Sequence, residues 1–267
     1  MSVYSRTVVG TAIGCALSLL IAWGISVGAQ QRGGGGGGQR AADAKPGDVR
    51  MMVTAAIQTP FEAVRAEMQK AIGKPLVIEY GSARGNLKEE ILAGQGFQVA
   101  VLLPDVNEEL EKAGKIVHGS FTIARVDVAF GLRGDVTVDV STPAAIRNTL
   151  LKAKSARWSD TGAALLTVNK ILDTLGIREA LKAAHAMPGN TPLGPGEYEM
   201  NIYPLSEILA NKNVKNLEPV IPELQVPSII DAVISSNTPD MASAKALIKF
   251  LQGPRLDPDL KASGMKR

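Results

Sequence analysis

The side chains with the most to offer chemically stand on one short turn. Gly81-Ser82-Ala83-Arg84-Gly85-Asn86 sets a hydroxyl and a guanidinium among glycines. Leu76-Val77-Ile78 precedes the turn as a strand, and Leu87, Ile91 and Leu92 follow it at helical spacing. Such a turn leaves backbone N–H groups free at a helix start, where the helix dipole adds positive potential. Asn86 can cap that helix, with Glu89 three places on completing a capping box. The chemistry on offer is retention of an anion: Ser82 and the amide of Ala83 donate, and Arg84 holds an oxyanion or carboxylate bidentately. An ordinary strand-to-helix turn, with Arg84 exposed and paired to an acid such as Glu62, fits the same residues.

Catalysis is poorly served. His118 and His185, the only histidines, belong to no serine or carboxylate pattern and read as surface or helix-end residues. Cys15 is the only cysteine and lies in the N-terminal apolar run, so an exported mature chain has no disulfide, thiol nucleophile or cysteine-based metal site. No His-x-x-x-His pair, carboxylate-rich metal loop, phosphate loop or dinucleotide fingerprint is present. Glu89-Glu90, Glu108-Glu109 and Glu197 with Glu199 read as solvated faces. The expectation is a protein that binds without chemistry, with no catalytic residue, no cofactor and no metal.

The surrounding elements must position that turn. Val49 to Ala56 is an apolar strand, and Thr59-Pro60-Phe61-Glu62 carries a threonine cap, a first-position proline and a glutamate three after the cap. Phe61, Val64, Met68 and Ile72 then form one helical face. Leu76 to Gly94 repeats the order of strand, turn and helix, and Val99 to Leu103 is a third buried strand. The alternation predicts an α/β layered fold with largely parallel strands, in which ligands sit at the carboxyl ends. Ala56-Ile57-Gln58-Thr59 and Gly81-Ser82-Ala83-Arg84 then face one another if their strands are neighbours. Ala156 to Gly162, holding Asp160 and Thr161, is a third such turn. Phe121 to Leu132 reads as one longer strand crossing between subdomains, Glu199 to Tyr203 as a strand entering Pro204, and Val226 to Ser235 as a returning strand. Thr238-Pro239 begins the last long helix, and the tail Lys266-Arg267 reads as frayed.

Arg6, the apolar run from Val8 to Val27 and the small-residue ending Val27-Gly28-Ala29 predict an export signal over 1–29, cleaved near Ala29. An uncleaved anchor is the other reading. Residues 30–47 form a linker containing six consecutive glycines, Gly33 to Gly38, which cannot build a core. The chain has 29 Lys+Arg against 26 Asp+Glu, a formal net charge of +3, and no polybasic run, which argues against a nucleic-acid partner.

The ordered set VTAAIQTPFEAV, IEYGSARGNLKEEILAG, NEELEKAGKIV, SDTGAALLTVNKILDTLGI, EMNIYPLSEILA and MASAKALIKFLQGP resembles the periplasmic solute-binding proteins of the molybdate-binding type. The resemblance implies an α/β, two-lobed type II periplasmic binding fold, each lobe a mostly parallel sheet flanked by helices. The expected lobes are 48–124 plus 222–267 and 125–221. It also implies a monomer in the periplasm that captures a small anion, such as molybdate, tungstate or sulfate, for a membrane ABC permease. Carried onto this chain, the ligand-binding set is Ile57, Gln58, Ser82, Ala83, Arg84, Asp160, Thr161 and Tyr203. The chain departs from the family at several of these places. Gln58 stands where the family has a serine, Ala83 and Arg84 follow a single serine where it has two, and Tyr203 is one place early. A small organic carboxylate as ligand, or a periplasmic sensor module on the same fold, is the alternative expectation.

Overall fold

The computed structural model describes residues 44–267; the expected export segment, Cys15 and the glycine run lie outside the described residues. Two apolar clusters organise the chain, one around each of two sheets. The chain opens with β1 (Val49–Thr54), α1 (Gln58–Ile72), β2 (Leu76–Gly81), α2 (Lys88–Leu92), β3 (Val99–Leu102), α3 (Pro104–Lys112) and β4 (Phe121–Val126). It continues through β5 (Val128–Arg133), α4 (Pro143–Lys152), β6 (Ser155–Arg157), α5 (Leu165–Thr174), α6 (Arg178–Ala186), β7 (Glu199–Pro204), α7 (Leu205–Ala210) and β8 (Lys215–Pro219). It closes with β9 (Ser228–Ile234), α8 (Met241–Gln252), α9 (Asp257–Ala262) and β10 (Met265–Lys266).

The first sheet has the order β10-β4-β9-β3-β1-β2 and the second β6-β7-β5-β8. β1 and β3 are apolar at almost every position because helices cover both faces of their sheet; Met51, Met52, Val53 and Val101 are fully buried. β1 pairs in parallel with β2, from Val49 opposite Leu76 to Thr54 opposite Gly81, and with β3. That register sets the turns after β1 and β2 side by side at one end of the sheet.

The expectation of mostly parallel sheets is corrected. In the first sheet β9 runs antiparallel to β3 and β4, and β10 antiparallel to β4. In the second only β6 and β7 are parallel, while β5 opposes both β7 and β8. The reason is connectivity. A chain that leaves one lobe through β4 and re-enters through β9 lays those strands in opposite directions, whereas parallel pairs need a helical crossover each time.

Local corrections have similar causes. The single strand expected over Phe121 to Leu132 is broken at Asp127, where the backbone passes from β4 in one sheet to β5 in the other. α1 starts at Gln58 after a 3-10 turn, Ala55–Ile57, so Thr59 lies inside the helix and no side chain caps it. Asn86 does not cap α2 either: its Oδ1 accepts from the Ser82 N–H at 2.9 Å and braces a π-helical turn, Ala83–Leu87. α8 begins at Met241 with Asp240 as its cap, accepting from the Ser243 N–H at 3.0 Å and paired with Lys74. The tail is tied down. Arg267 donates to the carbonyls of Ile123, Leu251 and Gly253 and pairs with Asp257.

Candidate functional site

Strand carboxyl ends from both sheets meet across one cleft. On the first lobe, the turn after β1 delivers Ile57 and Gln58, and the turn after β2 delivers Ser82, Ala83 and Arg84. Ile57 and Ala83 are fully buried, so only their backbone can serve a ligand. The start of α1 has no side-chain cap, leaving first-turn N–H groups and the positive end of a 15-residue helix at the cleft. On the second lobe, the parallel pair β6 and β7 ends at Arg157 and at Tyr203-Pro204, followed by the turn holding Asp160 and Thr161 and by α7.

Ser82 and Thr161, 79 residues apart in sequence, are in contact. The Ser82 hydroxyl lies 2.7 Å from both the carbonyl oxygen and the Oγ1 of Thr161. The Arg84 N–H donates to the same carbonyl at 3.1 Å. Gly85 is closely packed here: a Cβ would lie 3.0 Å from Thr161 Oγ1. A second bridge forms where Ser206 Oγ on α7 donates to the Ala56 carbonyl at 2.6 Å. The lobes are therefore closed on each other at these two bridges. A cavity of about 820 Å³ lies against β8 and the segment 136–141, and none of these residues lines it.

Arg84 does not stand free in this arrangement. Its Nε and Nη2 hold the Asp105 carboxylate at 2.6 and 3.1 Å, and its Nη1 donates to the Gly162 carbonyl at 2.7 Å. The partner is Asp105, at the start of α3, and not Glu62, which accepts from Tyr80 and Arg65. Asp160 is likewise engaged within its own lobe. The Trp158 N–H donates to one carboxylate oxygen at 2.9 Å, and His185 Nε2 lies 3.1 Å from the other. The Trp158 and His185 rings stack with centroids 3.7 Å apart and planes 5° from parallel. His185 thus ends α6 as a brace for the turn that carries Thr161.

Two residues that the sequence reading passed over complete the cleft. Arg157 ends β6, donates from Nη1 to the Met187 carbonyl at 2.7 Å, and its charge acts on the Tyr203 phenol. Among the described residues no acid pairs with it. Gly189 lies against its guanidinium, where a Cβ would come within 3.1 Å of Cζ. Glu207, in the first turn of α7, has no donor or ion-pair partner for its carboxyl among the described residues, and burial pushes that carboxyl up to about 7. Burial also pushes the Tyr203 phenol up against the pull of Arg157, with Glu207 and Glu199 adding to the rise. Deeper on the same sheet face, Glu199 meets Arg133, Ser155 and Asn201. Burial favours its neutral form, yet those partners together hold its carboxyl below the ordinary range. One cue to Arg157 was available: register on β6 alternates faces, setting Ser155 and Arg157 opposite Ala156 of the core. Glu207 gave no cue, because an acid in a short amphipathic helix ordinarily faces water.

Two helix-flanked sheets whose turns meet at the Ser82–Thr161 contact define the two-lobed α/β class of binding protein. The chain belongs to the bacterial extracellular solute-binding protein family, whose pattern matches residues 49–266. It is 26% identical over 235 residues to the molybdate-binding protein ModA of Azotobacter vinelandii, covering 84% of this chain and 92% of that one. Among solved structures, it superposes on the periplasmic molybdate-binding protein of Azotobacter vinelandii with a TM-score of 0.67 at 18% identity, covering 82% and 99% of the two chains. It also superposes on the sulfate-binding protein SubI of Mycobacterium tuberculosis H37Rv, with a TM-score of 0.63 at 14% identity, covering 82% and 86%.

Proposed function

We propose that the protein captures a small anion between its lobes, in the periplasm, and presents it to a membrane ABC permease. The observation that carries this reading is Arg157, a half-buried guanidinium with no acid partner among the described residues, set at a strand end beside Tyr203. A half-buried cation of this kind is stabilised when an anion completes it. The uncapped start of α1 adds neutral donors, and the hydroxyls of Ser82 and Thr161, bonded to each other in the closed arrangement, are of the same kind. Kinship with molybdate- and sulfate-binding proteins makes a tetrahedral oxyanion the first class to try. Of the residues inferred from sequence, Gln58, Ser82, Thr161 and Tyr203, with the backbone at Ile57 and Ala83, stay in the ligand-binding set. Arg84 and Asp160 move to closing and bracing it, and Arg157 takes the charge-bearing place.

The test is a thermal-shift and calorimetric screen against molybdate, tungstate, sulfate, phosphate and small carboxylates. An anion present at one hundred times its Kd adds about 2.7 kcal/mol to stability. No stabilisation by any member of the screen would overturn the proposal.

A further inference from the structure

α7 offers a geometry that the anion reading leaves unexplained. Successive side chains on a helix are turned by about 100°. Leu205 and Leu209 face Gly264, Ser206 faces the Ala56 carbonyl, and Ile208 covers Gly131 of β5. Glu207 therefore points into the sector between Ser206 and Ile208, bounded by the first turn of one lobe and the sheet of the other. That first turn, Ala55-Ala56-Ile57-Gln58, brings no titratable group. From the sheet side come Tyr203 on β7 and Arg157 on β6, with Tyr203 close enough to feel both charges. Yet no ion pair joins Glu207 to Arg157. A cation and a carboxyl thus both lie near Tyr203, each without an ion-pair partner among the described residues.

We infer that Glu207 selects the ligand: the cleft takes a small anion that carries its own O–H donor, in preference to one with no proton to give. An anionic oxygen of such a ligand meets Arg157 while its O–H donates to the Glu207 carboxylate, so both half-buried groups are satisfied at once. A proton-free dianion would instead set like charges against each other and leave the carboxylate unpaired. Monoprotonated tetrahedral oxyanions and 2-hydroxy carboxylates share this chemistry. The inference rests on the anion reading above and narrows it.

Calorimetry on the full chain at pH 8.5, where the Glu207 carboxyl is ionised, separates the cases. Two matched pairs serve as probes: phosphate against sulfate, and lactate against propionate, the first of each pair bearing an O–H and the second none. Within whichever pair binds, the O–H member is expected to bind at least tenfold more tightly. Glu207→Gln, which swaps the acceptor for an amide that can also donate, is expected to collapse that ratio toward one. Phosphate over sulfate would name an oxyanion, and lactate over propionate a hydroxy acid. Equal binding within each pair, or a ratio untouched by Glu207→Gln, would overturn the role of Glu207 while leaving an anion-binding cleft. Binding of none of the four would overturn both.

Discussion

Arg157 and Arg84 carry the same charge and differ in what surrounds them. Arg84 is saturated by Asp105 and the Gly162 carbonyl, whereas Arg157 has a carbonyl and a phenol but no counter-charge among the described residues. Arg157→Gln is therefore expected to weaken binding of the anion that the screen identifies by 10- to 100-fold, the usual worth of one charge-assisted hydrogen bond at about 1.5–3 kcal/mol. Calorimetry on the variant checks this. Glu207 makes a second prediction at the same scale. Its carboxyl titrates near 4.5 in the unfolded chain and at about 7 in the folded one, so the native state retains a proton that the unfolded state has released. That contribution to stability is complete below about pH 4.5 and is lost as pH rises through 7. Urea denaturation of wild type and Glu207→Gln should show the variant gaining on wild type between pH 5 and pH 8.5, by about 2 kcal/mol once partial exposure is allowed for.

At the scale of elements, the features legible in the sequence were those set by hydrophobic period. Strand β1, the face of α1 with Phe61, Val64 and Met68, and the face of α8 follow from spacing, because burial on one side imposes it. Helix starts and strand partners were less legible. Thr59 and Asn86 look like caps in one dimension, but a 3-10 turn brings the start of α1 forward of Thr59 and a π-helical turn delays the start of α2 until after Asn86. Strand direction depends on where the chain crosses between lobes, which local periodicity does not encode. The ordered tail was missed because Lys266-Arg267 has no apolar signature; its anchors are backbone carbonyls. A glycine at the junction of α9 and α7 gives the prediction for this scale. Gly264 holds φ at 72°, and a Cβ there would lie 2.6 Å from Leu205 Cδ2. Gly264→Ala pays for left-handed backbone at about 1–2 kcal/mol and displaces Leu205 as well. Thermal unfolding should fall by several degrees, since each kcal/mol is worth about 2–4 °C at this size.

For the whole molecule, the balance that matters is between closed and open lobes. In the closed arrangement the acceptors offered to the first lobe are the carbonyls of Thr161 and Gly162, met by Ser82, the Arg84 N–H and the Arg84 guanidinium. These donors are of the kind an anion would use, so the lobe-two turn fills the role a ligand would otherwise fill and holds the lobes together by itself. Further contacts join the lobes at the Ser206 bridge, at the bond from Ser228 Oγ to the Ala163 carbonyl at 2.8 Å and at the Lys266–Asp127 pair. Arg84 is thus a latch between the lobes, and Asp105 keeps it aimed. Removing it shifts the equilibrium toward open lobes without touching the cores. Small-angle scattering on ligand-free Arg84→Ala should give a larger radius of gyration than wild type, and saturation with a bound anion should restore the wild-type value. The mutant should also associate with that anion faster than wild type, because less of it waits in a closed form that must open first. Identical scattering and identical association rates for the two proteins would show that the Gly162 contact contributes nothing to closure.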